Sequence, residues 1–179
     1  MRQMGPVHMA LGGLIIAVRD FFGLRGPDDL PSVIVNGRAM EAVADVPGMP
    51  PIHLLCVYGH SSEGLSPANL ELLAAIGRRC ELRKDQLLIG GGDWNLTPGQ
   101  LELVGFPEQA QMALLCTGKA TCISPAASRE YDFFVASTSL ARMLREIAAL
   151  TDVPTVPHHP AIARLHPGGR RLRHLGACR

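Results

Sequence analysis

A chain of 179 residues with 47% hydrophobic and 18% charged residues is long enough for one packed domain, and it excludes a disordered or low-complexity chain. The net charge of +1 gives no overall pull toward polyanions, but no acid follows Asp152 while Arg164, Arg170, Arg171, Arg173 and Arg179 do. The expected division is therefore a domain over residues 1–166 and a poorly ordered basic tail over 167–179.

In chain order, Gly12 to Arg19 is a glycine-led aliphatic run and reads as a buried strand. It is too short to span a bilayer, and Arg19 and Asp20 follow it with no small-residue cleavage site. Arg38 to Ala44 and Ile52 to Tyr58 are strands on either side of the Pro/Gly turn at residues 45–51, which predicts an antiparallel hairpin. Ser66-Pro67 opens a helix to about Arg79, with Leu70, Leu72, Leu73 and Ile76 on its apolar face. Leu87 to Gly90 is a strand, and Pro98 to Val104 a short helix. Tyr131 to Ser137 is a strand, and Leu140, Met143, Leu144 and Ile147 are spaced as on a helix over 139–150. Pro160 to Leu165 is the last strand. Helices mixed with strands, some joined by hairpins, give an α/β domain with a mixed sheet.

The five cysteines form no CxxC pair, and three lie in apolar runs, so they read as reduced thiols of an intracellular protein, cytoplasmic or nuclear, with no membrane association.

Three places could carry chemistry. Gly92-Asp93-Trp94-Asn95 follows an apolar strand. Asp93 and Asn95 are two residues apart and point the same way in extended chain, where a carboxylate orients water and an amide binds a phosphate oxygen. The same residues also suit an Asx turn that closes a strand. Asp132 lies among Tyr131, Phe133 and Phe134, where a carboxylate either faces water or is held by a partner. His158-His159 precede the last strand, and adjacent histidines in extended chain point to opposite sides. Gly90-Gly91-Gly92 lacks the ending of a phosphate-cradling loop.

The order of these elements resembles the endonuclease/exonuclease/phosphatase superfamily. It runs Tyr58-Gly59, a helix, Gly92-Asp93-Trp94-Asn95, the strand Tyr131 to Ser137, then His159-Pro160-Ala161-Ile162, and the likeness covers about Gly12 to Leu165. The resemblance implies a four-layer sandwich of two packed mixed β-sheets flanked by helices, here missing the first strand and helix. It implies phosphodiester hydrolysis with Mg²⁺ or Mn²⁺, on nucleic acid as the basic tail suggests. Position by position it implies that Asp93 orients the attacking water and Asn95 binds the scissile phosphate. It also implies that Asp132 holds the imidazole of His159, that His159 stabilises developing charge and that Tyr58 sits beside the phosphate. Two features depart from the family: no acid precedes Asp20, so its metal-binding glutamate is absent, and Pro157-His158-His159 stands where Ser-Asp-His is usual. Asp93 and His158 are the remaining candidate metal ligands, and a carboxylate such as Glu41 would have to replace the lost one for firm metal binding. The expectation is an impaired phosphodiesterase or an inactive remnant that binds nucleic acid or protein.

Overall fold

Short apolar runs bounded by turns become strands throughout the computed structural model, which describes residues 7–11, 14–19, 22–61, 64–124, 128–152 and 158–165. In chain order the elements are β1 (Val7–Leu11), β2 (Leu14–Val18), β3 (Gly23–Arg25), β4 (Val33–Val35), β5 (Ala39–Asp45), β6 (Ile52–Tyr58), α1 (Pro67–Leu82) and β7 (Leu87–Asp93). They continue with α2 (Pro98–Leu103), α3 (Phe106–Ala110), β8 (Met112–Leu115), β9 (Cys122–Ile123), β10 (Ser128–Arg129), β11 (Asp132–Ser137), α4 (Thr138–Ala141), β12 (Leu144–Ala149) and β13 (Ala161–Leu165).

Seven strands form one mixed sheet in the order β3-β5-β6-β7-β11-β8, with β4 also on β5. Within it β6 and β7 are parallel and joined through α1, as a parallel pair requires a crossover; the other neighbours are antiparallel. The β5–β6 hairpin expected from the Pro/Gly turn is present, with Ala39 opposite Val57 and Ala44 opposite Ile52.

The sheet is buried on both faces. On one, Leu55, Val57, Leu88, Phe133 and Val135 pack against Leu72, Leu73 and Ile76 of α1 and Leu101 of α2. On the other, Leu14 and Ile16 of the β1–β2 hairpin cover Met40 and Ala42. Leu144 of the β12–β13 hairpin covers Leu115 and Ala136. Helices outside a large sheet, with further β-structure on its inner face, make the α/β sandwich that the sequence implies. Each large side chain buried this way contributes about 1.5–3 kcal/mol.

Local chemistry explains the main boundaries. The Ser66 hydroxyl accepts from the Asn69 N–H at 3.3 Å and Pro67 takes the first turn of α1. Thr97 and Gln100 form a capping box at the start of α2. The glycines of β7 serve packing. A Cβ on Gly91 would come within 2.6 Å of the Phe134 ring, and one on Gly92, at φ +144°, within 2.0 Å of the Val57 carbonyl oxygen.

Three sequence expectations change. The helix over 139–150 shrinks to α4, and the rest becomes strand β12 paired with β13. A bulge between Leu144 and Glu146 breaks the two-residue alternation. Leu144 and Ile147 therefore meet the same apolar cluster at a helix-like spacing. A strand, β1, precedes the run read as the first strand and pairs with it. The thiols of Cys56, Cys80 and Cys122 are free, but Cys116 is disulfide-bonded, because sequence spacing does not reveal which thiols approach one another. The expected tail, residues 167–179, lies outside the described residues.

Candidate active site

The strand ends at one edge of the large sheet gather most of the residues singled out above. Tyr58, at the end of β6, is opposite Asp93 at the end of β7, and Asp93 is opposite Asp132 at the start of β11. Adjacent strands lie about 4.8 Å apart, so register alone makes these three neighbours.

The turn after β7 is fixed by Trp94. Its indole is 1% exposed, stacks on Phe133 with centroids 5.3 Å apart, and donates to the Phe133 carbonyl at 3.1 Å. With Trp94 held inside, Asp93 and Asn95 remain at the mouth. Asn95 is left-handed at φ +49°, a conformation asparagine tolerates, and its N–H donates to Asp93 Oδ1 at 3.0 Å. The Asx turn read from the sequence is thus real, and it aims the second carboxylate oxygen away from the turn. The Asn95 side-chain amide donates to the Gly59 carbonyl at 3.3 Å. Gly59 is needed there, since a Cβ would come within 1.8 Å of the Trp94 carbonyl oxygen.

Asp132 has the partner that its aromatic strand demands, and it is His158. His158 Nδ1 lies 3.0 Å from Asp132 Oδ2, and His158 Nε2 lies 3.8 Å from Asp93 Oδ2. The expected Asp132–His159 pairing is therefore displaced by one residue. His159 is fastened by its backbone, whose N–H donates to the Thr121 carbonyl at 2.6 Å, and Cys122 bridges His158. With His159 anchored this way, alternation turns the preceding ring toward the carboxylates. His159 Nδ1 is buried and makes no hydrogen bond among the described residues.

Thr121 is the residue the sequence reading missed. It is fully buried, and its hydroxyl accepts from the N–H groups of both Tyr131 and Asp132, at 3.0 and 2.8 Å. It thus pins the start of β11 and the segment before β13 to one point. Nothing in its sequence neighbourhood signals this, because every partner is distant in the chain.

Burial, followed by the charge of Asp132, pushes the Asp93 carboxyl above its ordinary range, against the opposing Asn95 hydrogen bond and His158. Burial and then the same two carboxylates push the Cys122 thiol up. The two carboxylates, close together at the mouth, make the pocket negative, which favours a cation. Single donor atoms of Asp93, Asp132 and His158 lie within 4.8 Å of one another, so the three can hold one metal ion. Two carboxylates and an imidazole fit Mn²⁺ better than Mg²⁺, which prefers oxygen throughout. Glu41 does not join them. It is fully buried in β5 and bound by Arg79, by His53 at 2.5 Å and by Arg83 at 2.9 Å.

No protein-family model matches the sequence, and no curated protein matches it at a significant level. Solved structures do. The endonuclease domain of TRAS1, a telomere-specific non-LTR retrotransposon, superposes with a TM-score of 0.69 at 15% identity, over 84% of this chain and 70% of that one. An AP endonuclease from Archaeoglobus fulgidus gives 0.60 at 13% identity, over 90% and 79%. D. rerio TDP2, complexed with a single-strand DNA product, gives 0.62 at 16% identity, over 87% and 72%. The strand order, the edge where the carboxylates meet and these superpositions agree that the chain has the endonuclease/exonuclease/phosphatase fold.

Proposed function

We propose that the chain is a metal-dependent phosphodiesterase of slow turnover, acting on nucleic acid, with its site at Asp93, Asn95, Asp132 and His158. The observation that carries this reading is the convergence of Asp93, Asp132 and His158 donor atoms within 4.8 Å, beside the Asn95 amide. A divalent cation bound there would neutralise charge on the phosphate.

The side chains divide the remaining work. Asp93, half-buried at the mouth, accepts a hydrogen bond from the attacking water and takes up its proton. The Asn95 amide is close enough to the mouth to donate to a phosphate oxygen. Asp132 holds the His158 ring through Nδ1, which leaves Nε2 facing Asp93. Tyr58 borders the same edge and is 42% exposed. The similar solved structures support this reading by what they are, two endonucleases and a protein complexed with a single-strand DNA product.

Slow turnover follows from the donor set. One imidazole replaces a carboxylate, and Glu41 is committed to its own arginines. The same observation favours a second reading, a chain that binds nucleic acid without cleaving it. A nuclease assay on abasic, single-stranded and plasmid DNA separates the two. Cleavage that requires Mn²⁺ and is lost in both Asp93→Ala and His158→Ala is expected. Binding without cleavage at any metal concentration would establish the second reading.

A further inference from the structure

Beside the carboxylates stands a cation with no carboxylate of its own among the described residues. Arg25, Arg79 and Arg83 each pair with an acid: Arg25 with Asp28 and Asp45, Arg79 with Glu41, and Arg83 with Glu41 and Asp29. Arg38 pairs with none among the described residues. Its guanidinium donates to the Gly59 carbonyl at 3.1 Å and lies 4.9 Å from the centroid of the Tyr58 ring.

The placement is built by backbone. Arg38 follows a tight turn in which its N–H donates to the Val35 carbonyl at 3.0 Å and Gly37 takes φ +66°. Its own carbonyl accepts from the Tyr58 N–H at 2.8 Å. The Gly59 carbonyl that receives Arg38 also receives the Asn95 amide, so the guanidinium and the phosphate-binding amide are fixed to one atom. Tyr58 is in register with Asp93. A half-buried guanidinium is thus held at the rim of an otherwise negative site, with its remaining donors unassigned among the described residues.

We infer that Arg38 is a substrate-binding residue that takes a backbone phosphate of a nucleic-acid strand, at the linkage flanking the one held by Asn95. This rests on the phosphodiesterase reading of the site. Guanidinium suits the role because its planar fork matches phosphate oxygens and stays charged at all working pH values. Its contact with Tyr58 lowers the entropy lost on binding, because the fork is already oriented. A purely structural Arg38 would only cap the Tyr58 ring and the Gly59 carbonyl. It would affect stability and leave the electrostatics of binding unchanged.

The test is binding of a labelled single-stranded oligonucleotide by fluorescence anisotropy, in Mn²⁺ and in chelator, across a salt series. Arg38→Gln is expected to bind about ten-fold more weakly at low salt and to reduce the slope of log K against log salt by about 0.7, the loss of one phosphate contact. Arg38→Lys keeps the charge and should keep the slope. Arg145→Gln, an exposed arginine on β12, removes the same charge elsewhere and should leave the slope unchanged. An oligonucleotide with one neutral methylphosphonate linkage at the contacted position should erase the difference between the parent protein and Arg38→Gln. An unchanged slope in folded Arg38→Gln overturns the assignment of Arg38 while leaving the phosphodiesterase reading intact. Equal losses in Arg38→Gln and Arg145→Gln also overturn it, since they would mean diffuse attraction. A parent protein that binds no oligonucleotide sinks both.

Discussion

Asp93 stands out among single residues because its environment works against its charge. Burial, then Asp132, raises its pKa in the folded chain. On acidification below the ordinary carboxylate range, folded and unfolded chains both carry the proton, and the group is neutral to stability. As pH rises through that range the unfolded chain ionises first, and stability falls until the folded carboxyl ionises as well. Asp93→Asn should therefore raise Tm of the metal-free protein at neutral pH while eliminating hydrolysis, a trade of function for stability. Calorimetry and initial rates check the two halves. The aspartates were legible in the sequence because both sit at strand ends in a recognisable order. Which of two adjacent histidines faces them was not, because the choice is made by the bridge to Cys122 and the bond from His159 N–H to the Thr121 carbonyl. His158→Ala should weaken Mn²⁺ binding about ten-fold or more by titration calorimetry, and His159→Ala should change it little.

Individual elements are held at the site by close approach and by one buried hydroxyl. Gly59 lies where a methyl group would overlap the Trp94 carbonyl oxygen at 1.8 Å, and backbone cannot yield as a side-chain end can. Gly59→Ala should cost about 3 kcal/mol or more in urea denaturation. Thr121→Val keeps shape but strands the N–H groups of Tyr131 and Asp132, an expected cost of about 1–3 kcal/mol together with weaker Mn²⁺ binding. Strands β5, β6, β7 and β11 and helix α1 were readable from alternation, turn chemistry and the Ser66-Pro67 cap. Strand β12 was not, because its bulge imitates a helical period. The short strands β3, β4 and β8 carry too few residues to show any period at all.

The molecule as a whole is tied together at the opposite end of the large sheet from its candidate site. There Glu41 of β5 is buried with His53 of β6 and with Arg79 and Arg83 of and beside α1, and Arg83 reaches both oxygens of Asp29 at 2.7 and 2.8 Å. Burial opposes the charge of Glu41, but the His53 and Arg79 hydrogen bonds and the charge of Arg83 overcome it and hold the carboxyl below its usual range. The Arg83 hydrogen bonds lower Asp29 from 3.8 to about 2. Both depressions mean stability that is present above the ordinary carboxylate pKa and lost as pH falls toward the folded value. Acid unfolding should accordingly steepen between about 4 and about 2 on the pH scale. Glu41→Gln should lose about 3–5 kcal/mol at neutral pH, because it leaves buried arginine charge uncompensated.

At the candidate site, Asp93 and Asp132 belong to the large sheet, whereas His158 leads into β13, whose hairpin lies on that sheet's inner face. An ion gripped by all three would behave as a cross-link between layers that are far apart along the chain. Its binding free energy would then appear as folding free energy, about 2.7 kcal/mol at a concentration 100 times Kd. Amide hydrogen exchange gives the local signature: on addition of Mn²⁺, the amides of β12 and β13 should gain the most protection, and those of the distant β3–β5 edge should gain only what global stabilisation confers.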